Sequence, residues 1–178
     1  MSIKHAILGF LSGTPLTGYD LKKMFARSEI LYWSGNNNQI YRTLVELHQE
    51  NLVTIEVQLQ ENKPPRKIYT ITSQGAAELR RWVLSTPELP QLRNSFLVRL
   101  AWADQLDAAE LDTLLGAYEE ELRVKLLMLR AQGQYAALSP ARTPRETLLW
   151  DSMAENWMSF HENELTWVRK LRQALGAP

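Results

Sequence analysis

Apolar positions along the first half of the chain change period twice. Ile3, Ala6, Ile7, Phe10 and Leu11 fall at i, i+3, i+4, i+7 and i+8, the single stripe of an amphipathic helix. Residues 13–16, GTPL, break it. Thr17 with Asp20 three positions later makes a capping-box pattern, and a second helix follows with Leu21, Met24 and Phe25 inward and Lys22, Lys23 and Arg27 outward. Residues 33–38, WSGNNN, read as turn and cap, since glycine tolerates positive φ and asparagine accepts from exposed helix amides. A third helix buries Ile40, Leu44 and Leu47. From Val53 the period becomes two: Val53, Ile55, Val57 and Leu59 alternate with Thr54, Glu56, Gln58 and Gln60, a half-buried strand. ENKPPRK is read as a stiff basic turn, because Pro65 cannot continue a ladder. Tyr69 and Ile71 complete a hairpin. Thr72 or Ser73 then caps a fourth helix with Ala76, Leu79, Trp82 and Val83 directed inward.

The second half is helical throughout. STPELPQLRNS, with Pro87 and Pro90, reads as a linker, and FLVRLAWADQL as a short apolar helix. Asp107 with Glu110 opens a long helix whose inward stripe is Leu111, Leu114, Leu115, Tyr118, Leu122, Leu126 and Leu129; Gly133 and LSPARTP end it. Thr143, Pro144 and Glu146 supply the N-cap, N1 and N3 of a last helix. There Trp150, Met153, Trp157, Phe160, Trp167 and Leu171 recur at spacings of three and four, interrupted by Glu164. Two long helices with such stripes are expected to pack on a second copy of themselves. Trp150 and Trp157 are also candidates to wall a cavity for a flat effector, since aromatic faces suit flat ligands.

The architecture expected is mostly α: a winged helix-turn-helix domain at 1–85, a linker at 86–90, and a helical dimerisation domain at 91–178. On the third helix the face opposite the buried stripe carries Asn38, Arg42, Val45 and Gln49, flanked by Gln39, Tyr41 and Glu46. Amides suit adenine, a guanidinium suits guanine or phosphate, and a phenol suits the backbone. A solvated face would carry the same residues. The rigid turn beside it, with Lys63, Arg66 and Lys67, shifts the balance toward duplex DNA.

Composition narrows the remaining classes. There is no cysteine, which excludes disulfides, thiolate nucleophiles and Cys-held metals and suits a reducing compartment. No apolar run approaches the ~20 residues of a membrane span. The run Ala6–Leu11 falls below the ~7 residues of a signal-peptide core and reads as helix. Net charge is zero, yet residues 1–85 carry ten Lys/Arg against seven Asp/Glu, and residues 86–178 ten against thirteen. A mildly basic reader on an acidic assembly domain fits. His5, His48 and His161 are scattered, no nucleophile elbow or phosphate loop is present, and SFHENE around His161 reads as a solvated helix face. No catalysis, metal or cofactor is expected.

Three segments, SIKHAILGFLSGTPLTGYDLKKMF, NQIYRTLVELHQENLV and PPRKIYTITSQGAAELRRW, together resemble the PadR family of bacterial winged-helix transcription regulators, across roughly residues 2–85 in order. The resemblance implies cytoplasmic homodimers that bind operator DNA, usually as repressors, and often answer to small aromatic or hydrophobic effectors. It places Tyr41 and Arg42 where the recognition helix meets DNA, Tyr19 and Lys22 on the second helix, and Arg66 and Lys67 on the wing. The chain departs from the family at the asparagines of 36–38, where many relatives have Ser-Pro-Gly-like residues; this bears on sequence preference. A winged helix serving only protein–protein contact is the alternative.

Overall fold

The computed structural model describes residues 3–27, 37–60, 63–90, 94–131 and 143–176, and these form two compact units that divide between Glu88 and Leu89. In the first unit, α1 (Ile3–Leu11), α2 (Gly18–Arg27), α3 (Asn37–Gln49) and α4 (Ser73–Val83) pack with a three-stranded sheet. Its strands are β1 (Leu16–Thr17), β2 (Val53–Gln60) and β3 (Lys63–Ile71), in the order β1-β3-β2, antiparallel throughout. The core is what the helical stripes dictate: Ile3, Ile7, Leu8 and Leu11 from α1, Leu21 and Phe25 from α2, and Ile40, Leu44 and Leu47 from α3 close over Leu52, Val53 and Tyr69. The cap at α2 is reciprocal, Thr17 Oγ1 accepting from the Asp20 amide at 3.1 Å and Asp20 Oδ2 from the Thr17 amide at 3.1 Å. Thr72 Oγ1 caps α4 by accepting from the Gly75 amide. Of the turn and cap expected at 33–38, residues 33–36 lie outside the described residues, and Asn37 and Asn38 already belong to α3.

Four expectations for this unit are corrected. First, Pro64 and Pro65 lie inside β3, not in the turn: Gln58 pairs with Arg66 but Gln60 with Lys63, so the register slips by one residue where the prolines sit. Proline is tolerated there because a bulge asks no ladder donor of it. Second, the alternation of β2 outruns the core. Val53 is buried and Ile55 partly so, but Val57 and Leu59 are exposed, because the hairpin projects beyond the helices. Third, Ala76 and Val83 face outward, whereas Leu79 packs on the core. Fourth, Trp82 is half-exposed, its indole stacked on the His5 ring at 4.5 Å and 4°.

The second unit comprises α5 (Ser95–Leu100), a 3-10 turn (Ala103–Gln105), α6 (Ala108–Ala131) and α7 (Pro144–Ala174). The Asp107 box closes, Asp107 Oδ1 accepting from the Glu110 amide and Glu110 Oε2 from the Asp107 amide, and the Thr143 N-cap forms, its Oγ1 accepting from the Glu146 amide behind Pro144 at the helix start. The stops expected at 133 and 138–142 lie outside the described residues. Cross-helix pairs show α6 and α7 antiparallel. Arg172 grips Asp112 with two bonds of 2.6 and 2.9 Å and reaches Glu119 at 3.3 Å, Arg169 holds Glu119 at 2.8 Å, and Arg130 holds Glu162 at 2.8 Å. The apolar cluster joins Phe96, Leu115, Leu122 and Val168 with Leu165, Leu171 and Tyr118, whose ring stacks on Phe96.

Within the protomer the deepest residues of α7 are Val168 and His161; the tryptophan stripe, expected to pack on a second copy, is not its inner face. Trp167 and Met153 are exposed, and Trp150, Trp157 and Phe160 are half-buried. His161 is 9% exposed and lies edge-on to the rings of Trp157 and Phe160, so it leaves the solvated face expected of this string, on which Ser159, Glu162 and Asn163 remain exposed. Glu162, Asn163 and Glu164 follow it in sequence and suggest water. The ring is flanked instead by Phe160 and Trp157, one and four positions earlier, which periodicity assigns to the adjoining face.

Candidate nucleic-acid interface

The first turn of α2 is where the helical and sheet parts of the first unit meet. Leu16 and Thr17 pair with Tyr69 and Ile68 of β3, then the chain turns directly into α2. This brings three elements around an open groove of about 670 Å³, walled by Tyr19 of α2, Tyr41 and Val45 of α3, and Pro65, Arg66 and Lys67 of β3. Tyr69 forms the inner wall; burial first, and then the nearby Tyr41, push its phenol pKa up, so it stays neutral. Tyr41 lies against Gly18 so closely that a Cβ there would stand 2.5 Å from Tyr41 Cε1.

Of the residues singled out in the sequence, Tyr19, Tyr41, Arg66 and Lys67 thus share one groove. Lys22, Asn38, Gln39 and Arg42 are exposed on α2 and α3 without lining it. Arg42 is held by Glu46 one turn later at 3.1 Å, and Lys23 sits over the Tyr19 ring at 4.5 Å. Lys63 pairs through its backbone with Gln60, and its side chain lies outside the described residues. Asp20, Gly18 and Pro65 are not expected here from the sequence. The sequence marks Asp20 only as a cap, yet its Oδ2 also accepts from Arg66 Nη2 at 3.3 Å. Burial works to raise the Asp20 pKa, but the Thr17 hydroxyl and amide, and then Arg66, outweigh it and hold the carboxyl below its ordinary value. A local signal is present, since a capping carboxylate beside a strand end is within reach of whatever the next strand carries.

The second unit offers one other candidate surface. In the first turns of α7, Leu148, Leu149 and Met153 are exposed, and the buried cluster draws on α7 only from Leu165 onward. Trp157 stacks with Phe160 at 5.8 Å, and its indole N–H is buried with no acceptor among the described residues. Among the described residues no group of His, Asp and Glu is placed to hold a metal, and no helix is long and apolar enough to cross a membrane.

Residues 7–81 match the transcriptional regulator PadR-like family, and residues 92–176 match the C-terminal domain of virulence activator alpha. The negative transcriptional regulator PadR of Bacillus subtilis is 30% identical over 143 residues, 80% of this chain and 78% of the relative. The probable transcriptional regulator Rv1176c of Mycobacterium tuberculosis is 30% identical, with 98% of each chain covered. In fold, the chain is similar to the crystal structure of B. subtilis PadR in complex with operator DNA, with a TM-score of 0.84 and 24% identity over 97% of this chain and 98% of that one. The same regulator in complex with p-coumaric acid gives a TM-score of 0.77, again at 24% identity, over 98% of each chain.

Proposed function

The chain belongs to the PadR-like family of transcriptional regulators, and from that premise we propose that it is a bacterial cytoplasmic repressor that binds operator DNA as a homodimer and is released by a small aromatic effector. The observation that carries the reading is the groove itself. Tyr19, Tyr41, Arg66 and Lys67 come from three elements and converge on one open, mixed basic and aromatic surface beside the exposed face of α3. On this reading α3 enters the major groove. Asn38, Gln39 and Arg42 face base edges, while Tyr19, Tyr41, Lys22 and the wing cations Lys63, Arg66 and Lys67 meet the backbone. Two copies present two such faces to half-sites one helical turn apart, roughly 34–36 Å. The B. subtilis relative is a negative regulator and has been crystallised with operator DNA, which supports both the ligand and the sign of regulation.

The dimer is assigned to α7. Its exposed Leu148, Leu149 and Met153, with Trp150, Trp157, Phe160 and Trp167, form an apolar face that a second copy would cover. The same aromatic face suits a flat effector, and the Trp157 N–H, which has no acceptor among the described residues, offers it a donor. That the B. subtilis relative takes p-coumaric acid supports a phenolic class. The ligand shifts operator affinity only by its unequal affinity for the two states, of order 1–3 kcal/mol, or about 5- to 150-fold.

Anisotropy with a duplex from the chain's own promoter region tests the reading. Binding should be specific, should weaken with salt, and should drop by ~1–3 kcal/mol in Arg42→Ala for the operator alone. Phenolic acids added to the complex should quench tryptophan and release DNA together. Equal affinity for promoter and scrambled duplex would overturn the DNA reading, and quenching without release the effector reading.

A further inference from the structure

We propose that Asp20 is a positioning residue of the DNA-reading face: it holds Arg66 of the wing at a fixed offset from Tyr41 and Arg42 of α3. The inference rests on the reading of this face as a DNA surface and adds to it a residue that touches no DNA. A carboxylate at the edge of such a surface is otherwise a liability, because it repels the phosphates that Arg66 and Lys67 attract. Asp20 is placed to act through a neighbour instead. Its Oδ2 accepts from the Thr17 amide at 3.1 Å, the Thr17 hydroxyl at 2.6 Å and Arg66 Nη2 at 3.3 Å. The first two bonds fix the carboxylate to the start of α2, and the third carries that fixity to the wing.

The wing has need of such a tie. The pairing of β1 with β3 stops at Thr17 and Ile68. Outward of Ile68, β3 has only β2 beside it, and the outer apolar residues of β2, Val57 and Leu59, are exposed. An isolated two-stranded ribbon is marginal in water. Asp20 and Arg66 are 46 residues apart in sequence, and their bond crosses from helix to wing just beyond the end of the three-stranded region. It also consumes little of the guanidinium. Arg66 has five N–H donors, of which Asp20 engages one nitrogen, and the side chain is 48% exposed, so the group is oriented while still open to a phosphate. Ordering this long side chain before DNA arrives removes a cost that binding would otherwise bear.

The sign of one substitution separates this from plain electrostatics. Asp20→Asn deletes a negative charge near a polyanion, so charge alone predicts tighter binding to every duplex. Positioning predicts weaker operator binding, by about 2- to 5-fold, as for a partly exposed ion pair. Affinity for a scrambled duplex should hold or rise, so the specificity ratio falls. Asparagine can still accept from the Thr17 amide at the same oxygen, which preserves the helix start, and what it removes is the charge that strengthens the hold on Arg66. Anisotropy with the promoter duplex and its scrambled version is measured for wild type, Asp20→Asn, Arg66→Ala and the double variant, with thermal melting alongside. The expected cycle shows the Asp20→Asn loss disappearing in the Arg66→Ala background. Tighter operator binding by Asp20→Asn, or a loss of equal size in both backgrounds, overturns the inference. If Asp20→Asn fails to fold, Asp20→Glu decides: it keeps the charge and moves the carboxylate, so a wild-type specificity ratio there overturns the inference and a lowered ratio without destabilisation sustains it. A wild type that cannot tell promoter from scrambled duplex sinks the DNA reading and this inference with it; one that can, with a flat cycle, sinks the inference alone.

Discussion

Gly18→Ala should leave the fold intact and still weaken operator binding. The backbone at Gly18 is not in the left-handed region, which among the described glycines is occupied by Gly176, so alanine is not refused by φ. What alanine meets is the Tyr41 ring, at 2.5 Å from Cε1, 3.1 Å from Cδ1 and 3.3 Å from Cζ. Carbon pairs rest near ~3.5–4.0 Å, so the ring must retreat by about 1 Å. It has somewhere to go, being 46% exposed. Strain that would reach ~1–3 kcal/mol in a closed core is therefore largely relieved, while alanine stiffens the unfolded chain by ~0.4–1 kcal/mol relative to glycine. The two nearly cancel, and the melting temperature should move by no more than a few degrees. Operator affinity has no such compensation. A phenol displaced by about 1 Å loses a hydrogen bond of ~0.5–1.5 kcal/mol, so the dissociation constant should rise by about 3- to 10-fold. Tyr41→Ala sets the ceiling, and Gly18→Ala on top of Tyr41→Ala should add nothing. Anisotropy with the promoter duplex and differential scanning calorimetry measure both quantities. Wild-type affinity in Gly18→Ala, or an undiminished loss in the Tyr41→Ala background, would refute the argument.

Gly75→Ala should behave in the opposite way. There a Cβ would stand 2.1 Å from the Leu52 carbonyl oxygen and 2.9 Å from Ile71 Cγ1; backbone cannot swing aside, so a loss of about 3 kcal/mol or more is expected in urea titration, and an unchanged midpoint would contradict the packing. Trp157→Glu should place a charge on the proposed dimer face and yield monomers or aggregates by light scattering; an intact dimer would remove this part of α7 from the interface. Acidification should loosen α6 from α7. The Arg172 hydrogen bond outweighs burial in holding the Asp112 pKa below its ordinary value, and Arg169, then Arg172, do the same for Glu119. Depressed carboxyl pKa values contribute stability that is complete above the ordinary range near pH 4 and is lost as pH falls through the folded-state values. Melting temperature should therefore be flat from neutral pH to about 5 and decline below about 4. Arg172→Met should weaken that decline, and superimposable pH profiles for the two proteins would exclude the clamp as its source.

Local regularities carried most of the fold. The stripes of α1, α3 and α6 were legible because helical burial recurs every three or four residues, and the caps at Thr17, Asp107 and Thr143 because each is a bond between i and i+3. What escaped depends on contacts between distant residues. Strand β1 is two residues long and exists only because β3 lies beside it, so no period announces it. Val57 and Leu59 alternate like core residues, but alternation records the two faces of a strand and not where the helices stop. Likewise the tryptophan stripe of α7 marks an apolar face without saying whether α6 or a second chain covers it, while Val168 packs with Leu115 and Leu122 of α6. At the site, residue types with a plain chemical use were legible. Asp20 was not, because its contact with Arg66 requires knowing that α2 starts beside β3.

Pro64 and Pro65 also bear on how this molecule keeps to itself. Opposite β1 the edge of β3 is covered, but among the described residues the stretch from Lys63 to Lys67 has only β2 beside it. An uncovered strand edge next to bare apolar residues such as Val57 and Leu59 is a template on which another extended chain can zip. Proline has no amide to donate, so two in succession on that short edge interrupt any incoming ladder. A wing can thus keep its apolar flank free at the high local concentrations found where regulators crowd on DNA, without recruiting its neighbours into a fibril.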